Sequence, residues 1–191
     1  MQHTLFALQV FLALPEAGAL HTELKKHIAQ APQSQGFAGK NAYYRHLANL
    51  IRPWTSRFER GVWDYIEDHE EAEEEWKGWT QGTVADALEP AGGPGGRGPY
   101  RAGRENMFVT VLALLVKGGP SDAFVCERCR MPDNQMWKRG ALMHLIDGVS
   151  MLNFASVRAD AIYVRPGLGA GAVSEQELGE EHYQYLRALV P

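Results

Sequence analysis

The sequence predicts a single α/β domain of the α+β kind, spanning residues 1–191, with one sheet of about four strands packed by about five helices. Three observations lead there. Residues 108–118 (FVTVLALLVKG) are the longest nearly unbroken apolar run. Phe108, Leu112, Leu114 and Val116 occupy one parity, and Val109, Val111, Ala113 and Leu115 the other, so the run reads as a central strand covered on both faces. Residues 4–14 form a second such run, with Gln9 its only strongly polar member. Segments with apolar residues at helical spacing interleave with these runs, and 191 residues suffice for one domain with a core.

After the first strand, Pro15 restarts the chain at a helix N1 position with Glu16 in the first turn. Leu20, Leu24 and Ile28 then give an amphipathic helix over 16–30. Residues 31–36 are a loop. A second helix over 39–52 carries Tyr43, Leu47, Leu50 and Ile51, and Pro53 ends it. Residues 57–66 mix aromatic, β-branched and charged side chains, which predicts a more exposed strand. Residues 67–75 hold seven acids in nine positions and open a helix that runs through Trp76, Trp79, Val84 and Leu88. Residues 90–104 are Gly/Pro-rich and read as a mobile loop. Lys117, Gly118, Gly119 and Pro120 end the central strand. Asp133 caps a helix over 134–146, residues 157–165 form the last strand, and Ser174 to Glu177 is a capping box that opens a terminal helix through Leu189.

Composition removes several functions. The formal charge is −4, and no basic stripe or aromatic-interleaved basic motif marks a nucleic-acid binder. Two cysteines are too few for a disulfide scaffold. No lysine or arginine precedes Lys25, so the charged region of a signal peptide is missing, and no apolar stretch is long enough to span a bilayer. The expectation is a cytoplasmic protein with no integral membrane segment; peripheral membrane association stays open.

Few motifs carry chemistry. Cys126 and Cys129 form a CxxC, half of a tetrahedral zinc set, or a thiol pair beside Arg128 and Arg130. The sequence places them beside a turn, with neither a second CxxC nor a paired histidine motif. Residues 167–172 match GxGxxA, but too little chain follows for a second parallel strand, so a flexible connection is expected. Residues 90–103 lack the Gly-Lys-Ser/Thr of a phosphate loop. His69, His144 and His182 stand as isolated singles, and no G-x-S-x-G elbow occurs. The acids Glu70, Glu71, Glu73 and Glu74 are a solvated helix start or a docking face for a basic partner.

Residues 8–14 and 19–30, the stretch Leu50, Ile51, Arg52, Pro53 and Trp54, and the acidic start Glu71, Ala72 and Glu73 together carry a family pattern. So do residues 109–118, Val164, Arg165 and Pro166, and the acidic segment 174–178 followed by Tyr185, Leu186 and Arg187. In this pattern the chain resembles an uncharacterised family, a domain of unknown function found in thylakoid-associated proteins of plastids and photosynthetic bacteria and in other bacterial proteins. The resemblance implies an architecture and names no catalytic residue. It departs at Arg165, where a tryptophan-threonine pair is expected, and at the CxxC.

The functional expectation is a non-enzymatic interaction or regulatory module, working through a protein partner or as a homo-oligomer, with no cofactor. One alternative is a zinc or thiol-redox protein using Cys126 and Cys129. Another is an enzyme whose residues converge only in the fold.

Overall fold

A computed structural model describes residues 1–31, 36–88, 104–167 and 171–191. The first strand, β1 (His3–Ala13), is buried along its whole length. It leads directly into α1 (Leu14–Ala29), with Pro15 in the first turn as expected. Helix α2 (Phe37–Ile51) continues as a 3-10 segment, Arg52–Arg57, around Pro53. Strand β2 (Arg60–Ile66), helix α3 (His69–Leu88) and strand β3 (Glu105–Val116) follow. The rest comprises α4 (Pro120–Cys129), α5 (Arg139–Val149), β4 (Val157–Arg165), β5 (Val173–Ser174), α6 (Glu175–Leu178) and β6 (Arg187–Ala188).

The strands form one sheet in the order β4-β3-β1-β2-β6, with β5 also pairing β3. Every ladder is antiparallel. Among the described residues six strands replace the expected four, because β5 and β6 are two-residue pieces with no hydrophobic alternation of their own. In register, Leu5 faces Leu114, Gln9 faces Thr110 and Phe11 faces Phe108. Residues 106–115 of β3 are buried on both parities, as the central-strand reading requires.

Period-two alternation sends the two sets of side chains to different cores. Phe6, Leu8, Val10, Leu12, Val109, Val111, Ala113 and Leu115 join residues of α1, α2, α4 and α5 in the larger cluster. On the other face, Leu5 and Leu114 meet Ile66 and Ala72, with Trp76 and Trp79 packed against them. Phe11 and Phe108 meet Val173, Leu178, Tyr183 and Leu186 of the C-terminal segment. Both faces of the sheet are therefore covered from within one chain.

Three expectations are corrected. The stretch 120–129 is a helix and not a turn: Pro120 sits in its first turn, a position that tolerates proline because its missing N–H has no intrahelical partner. Gly118, at φ 76°, reverses the chain between β3 and this helix, a conformation suited to glycine. The next helix starts at Arg139, later than expected, since residues 133–137 turn without forming a helix. The terminal helix stops at Leu178 although its capping box is complete. Beyond it the chain runs through a 3-10 turn, Glu181–Tyr183, into β6, because Leu178, Tyr183 and Leu186 are drawn onto the sheet by the Phe11 and Phe108 cluster. The Gly/Pro-rich loop expected at 90–104 and the centre of the GxGxxA stretch, residues 168–170, lie outside the described residues, apart from Arg104.

Candidate functional site

Helix α3 organises the chemistry of the surface. Asp68, just before it, accepts hydrogen bonds from the backbone N–H of Glu70 and Glu71 at 3.0 Å, and these bonds, the one from Glu71 foremost, lower its pKa. The acids that follow suit the positive end of the helix dipole. Ala72 is fully buried against Leu5, Ile66 and Leu114, so the helix lies on the sheet and its acids divide between two flanks.

On one flank, Glu71, Glu75 and Trp79 follow one another at a spacing of four, which aligns them along one helix face. They border a cleft of about 330 Å³ with Ala7, Val62, Trp63, Asp64, Ile66 and Tyr185. Ala7, Val62 and Ile66 contribute apolar surface. Trp79 and Tyr185 stand edge to face at 6.4 Å, and the Tyr185 hydroxyl donates to Gln9 Oε1 at 2.9 Å. Asp64, Glu71 and Glu75 supply three carboxylates, and among the described residues no lysine or arginine lines the cleft.

On the other flank, His69, Glu70, Glu73, Glu74, Lys77, Gly78 and Gln81 line an open groove. His3 meets this flank from the start of β1. Its Nδ1 lies 3.0 Å from Glu73 Oε1, and its backbone N–H donates to His69 Nδ1 at 3.2 Å. The hydrogen bond from His3 holds the Glu73 carboxyl below its ordinary range. His3 is 8 % exposed, and its Nε2 has no protein partner. A buried polar nitrogen left unpaired costs about 1–3 kcal/mol.

The four acids singled out from the sequence are thus separated by the fold. Glu70, Glu73 and Glu74 line the groove, and Glu71 borders the cleft. The cysteines lie elsewhere, on α4. Cys129 ends that helix, where the dipole opposes a thiolate, and burial together with Cys126 and Asp64 pushes its pKa up to about 12. Cys126 Sγ lies 3.9 Å from Glu67 Oε1. Among the described residues, neither cysteine belongs to a group of three or more metal-ligating side chains. His144 is paired with Arg128. Helix α4 instead supplies Asp122, a buried carboxylate that accepts from Thr4 Oγ1 at 2.6 Å, Tyr65 OH at 2.5 Å and the Gly118 N–H at 2.7 Å.

Sequence reasoning did not find the cleft or the His3 group. Tyr185 and Gln9 are 176 positions apart, and His3 and His69 are 66 apart. The local signal available was the spacing of four between His69 and Glu73, one helical turn on a shared face.

Comparison with family models, curated proteins and solved structures gives no match to this chain. The resemblance to the thylakoid-associated family therefore rests on the residue pattern alone. Among the described residues no helix is long and apolar enough to cross a membrane.

Proposed function

We propose that this chain is a non-enzymatic interaction module of the cytoplasm that docks a basic segment of a partner protein in the cleft between β2 and α3. The observation that carries the reading is the composition of that cleft: Asp64, Glu71 and Glu75 beside Trp79 and Tyr185, with no basic residue among the described lining. Carboxylates attract a lysine or arginine side chain and steer its approach. Aromatic faces and edges then offer its alkyl stem apolar contact, and an aromatic ring face attracts the cation itself. Tryptophan and tyrosine are also residue types enriched where proteins meet.

The cleft is lined by two strands, β1 and β2, by helix α3 and by a tyrosine hydrogen-bonded to the sheet. Such a surface needs little ordering on binding, which lowers the entropic cost of association. Glu71 is the one of the four candidate acids that borders the cleft; Glu70, Glu73 and Glu74 line the groove on the neighbouring flank and take no part in the docking.

The test is a fluorescence titration with a lysine- and arginine-rich peptide and with its glutamine-substituted counterpart. The basic peptide binds, the neutral one does not, and Glu71→Gln with Glu75→Gln weakens binding about tenfold, with the difference shrinking as salt screens the charges. Equal binding of both peptides, or no effect of the double substitution, would refute the reading.

A further inference from the structure

We propose that His3, His69 and Glu73 form a binding site for a divalent transition-metal ion of the zinc type, on the flank of α3 away from the docking cleft. Ligand atoms from the three side chains all lie within 4.8 Å of one another, and among the described residues this is the one such group. The chemistry of the set selects the class of ion. Two imidazoles with one carboxylate suit zinc and its neighbours, whereas magnesium and calcium prefer oxygen ligands alone.

The geometry is close to what an ion needs. Bonds of about 2.0–2.1 Å in a tetrahedral arrangement place neighbouring ligand atoms about 3.3 Å apart. His3 Nδ1 and Glu73 Oε1 are 3.0 Å apart, so an ion can take the place of the proton they share. His69 and Glu73 are one turn apart on α3 and sit at the edge of an open groove, so their side chains have room to close on it. His3 is fixed by the pairing of β1, where it faces Val116 of β3.

The burial of His3 bears on the same site. The ring is buried and one of its two nitrogens meets no protein partner. The nitrogen without a partner is Nε2; Nδ1, which faces Glu73, is the one that would ligate the ion, exchanging a hydrogen bond for a metal bond while burial keeps the ring in place. Three protein ligands would leave a fourth coordination position, and the adjacent groove gives water or a small anion access to it. Lys77 lines the same groove, and its charge opposes the ion.

The test uses the full chain without an affinity tag, stripped with a chelator, dialysed against Zn²⁺ and assayed for bound metal, with Co²⁺ as a spectroscopic substitute. The wild type is expected to retain one zinc per chain. Loss of even an outer-shell partner of a metal ligand costs about 10–100-fold in affinity, so His69→Ala and Glu73→Gln should each weaken zinc binding at least about tenfold. The Co²⁺ complex should lack a thiolate charge-transfer band, and the Cys126→Ser/Cys129→Ser chain should bind as the wild type does. Circular dichroism establishes that each variant is folded; Glu73→Gln decides the matter should His69→Ala not fold. No retained zinc, equal retention by Glu73→Gln, or loss only in the double serine chain would overturn the proposal. Peptide docking is read separately, and Glu73→Gln should leave it within about twofold of wild type, because Glu73 lies off the cleft.

Discussion

The Tyr185 hydroxyl donates to Gln9 Oε1 at 2.9 Å and so ties the C-terminal segment to the middle of the sheet. Gln9 in turn donates from Nε2 to Thr110 Oγ1 at 2.8 Å, directly across the β1–β3 ladder. Gln9, the one strongly polar residue of its apolar run, thus has both ends of its amide satisfied inside the sheet's second face. Replacing Tyr185 by Phe leaves the buried Gln9 oxygen without this donor. Tyr185→Phe is expected to destabilise the protein by about 1–2 kcal/mol in urea unfolding and to weaken peptide docking as well. An unchanged midpoint would mean that the bond contributes nothing net.

Asp122 is the centre of a second polar link, between α4, β1 and β2. Thr4, Tyr65 and the Gly118 N–H all donate to its carboxylate. Burial and this carboxylate raise the Tyr65 pKa above its ordinary value, which keeps the phenol protonated as a donor. Asp122→Ala strands three donors at once and should cost about 3 kcal/mol or more, whereas Asp122→Asn retains an acceptor and should cost less. Thermal melts of the two variants give the order; equal melting temperatures would contradict it.

Acidification should weaken the fold before carboxylates titrate. His27, stacked on Tyr43 at 4.0 Å, has its pKa lowered from 6.5 first by burial and then by His46. The pKa of His144 is lowered from the same value by burial and by Arg128. Between the lowered folded value and the unfolded one, the unfolded chain binds more protons, so stability rises with pH there. Stability is complete above about pH 6.5 and declines as pH falls toward the folded values. Urea midpoints at about pH 7.5 and 5.5 should show this loss, and His27→Gln should show less of it. A higher midpoint at the lower pH would contradict the assignment.

The sheet was legible where burial alone determines structure. Residues 108–116 and 4–13 are mostly apolar on both parities, and in the first of them the β-branched Val109, Thr110, Val111 and Val116 and the Gly-Gly-Pro end favour a strand over a buried helix. The strand over 157–165 was legible from its β-branched and aromatic residues and from Pro166. Helix α4 was not, because Gly118 to Pro120 reads equally as the end of a strand and as the start of a helix. The terminal helix failed for a tertiary reason: Leu178, Tyr185, Leu186 and Leu189 have the spacing of a helical stripe, but Leu178 and Leu186 pack with Tyr183 on Phe11 and Phe108, Tyr185 reaches Gln9 and Leu189 joins the larger cluster, which an irregular path allows and one helix does not. At the surface, the acidic start of α3 was visible as composition. Its division into two flanks was not, since that depends on Ala72 lying against Leu5 and Leu114. The cysteines were conspicuous as a motif, yet Cys129 is a half-buried thiol at a helix end, with its pKa pushed up.

The central claim, that the cleft beside Trp79 receives a basic segment, is tested most directly by the indole N–H signals of the five tryptophans during titration with a lysine- and arginine-rich peptide. Trp79 borders the cleft, whereas Trp54 and Trp137 pack against the cluster on the opposite face of the sheet. The account predicts a saturable shift of the Trp79 signal whose midpoint moves to about tenfold higher peptide concentration with Glu71→Gln and Glu75→Gln, with Trp54 and Trp137 unmoved. A peptide that binds while leaving Trp79 unshifted, or that shifts Trp54 and Trp137 instead, would contradict it.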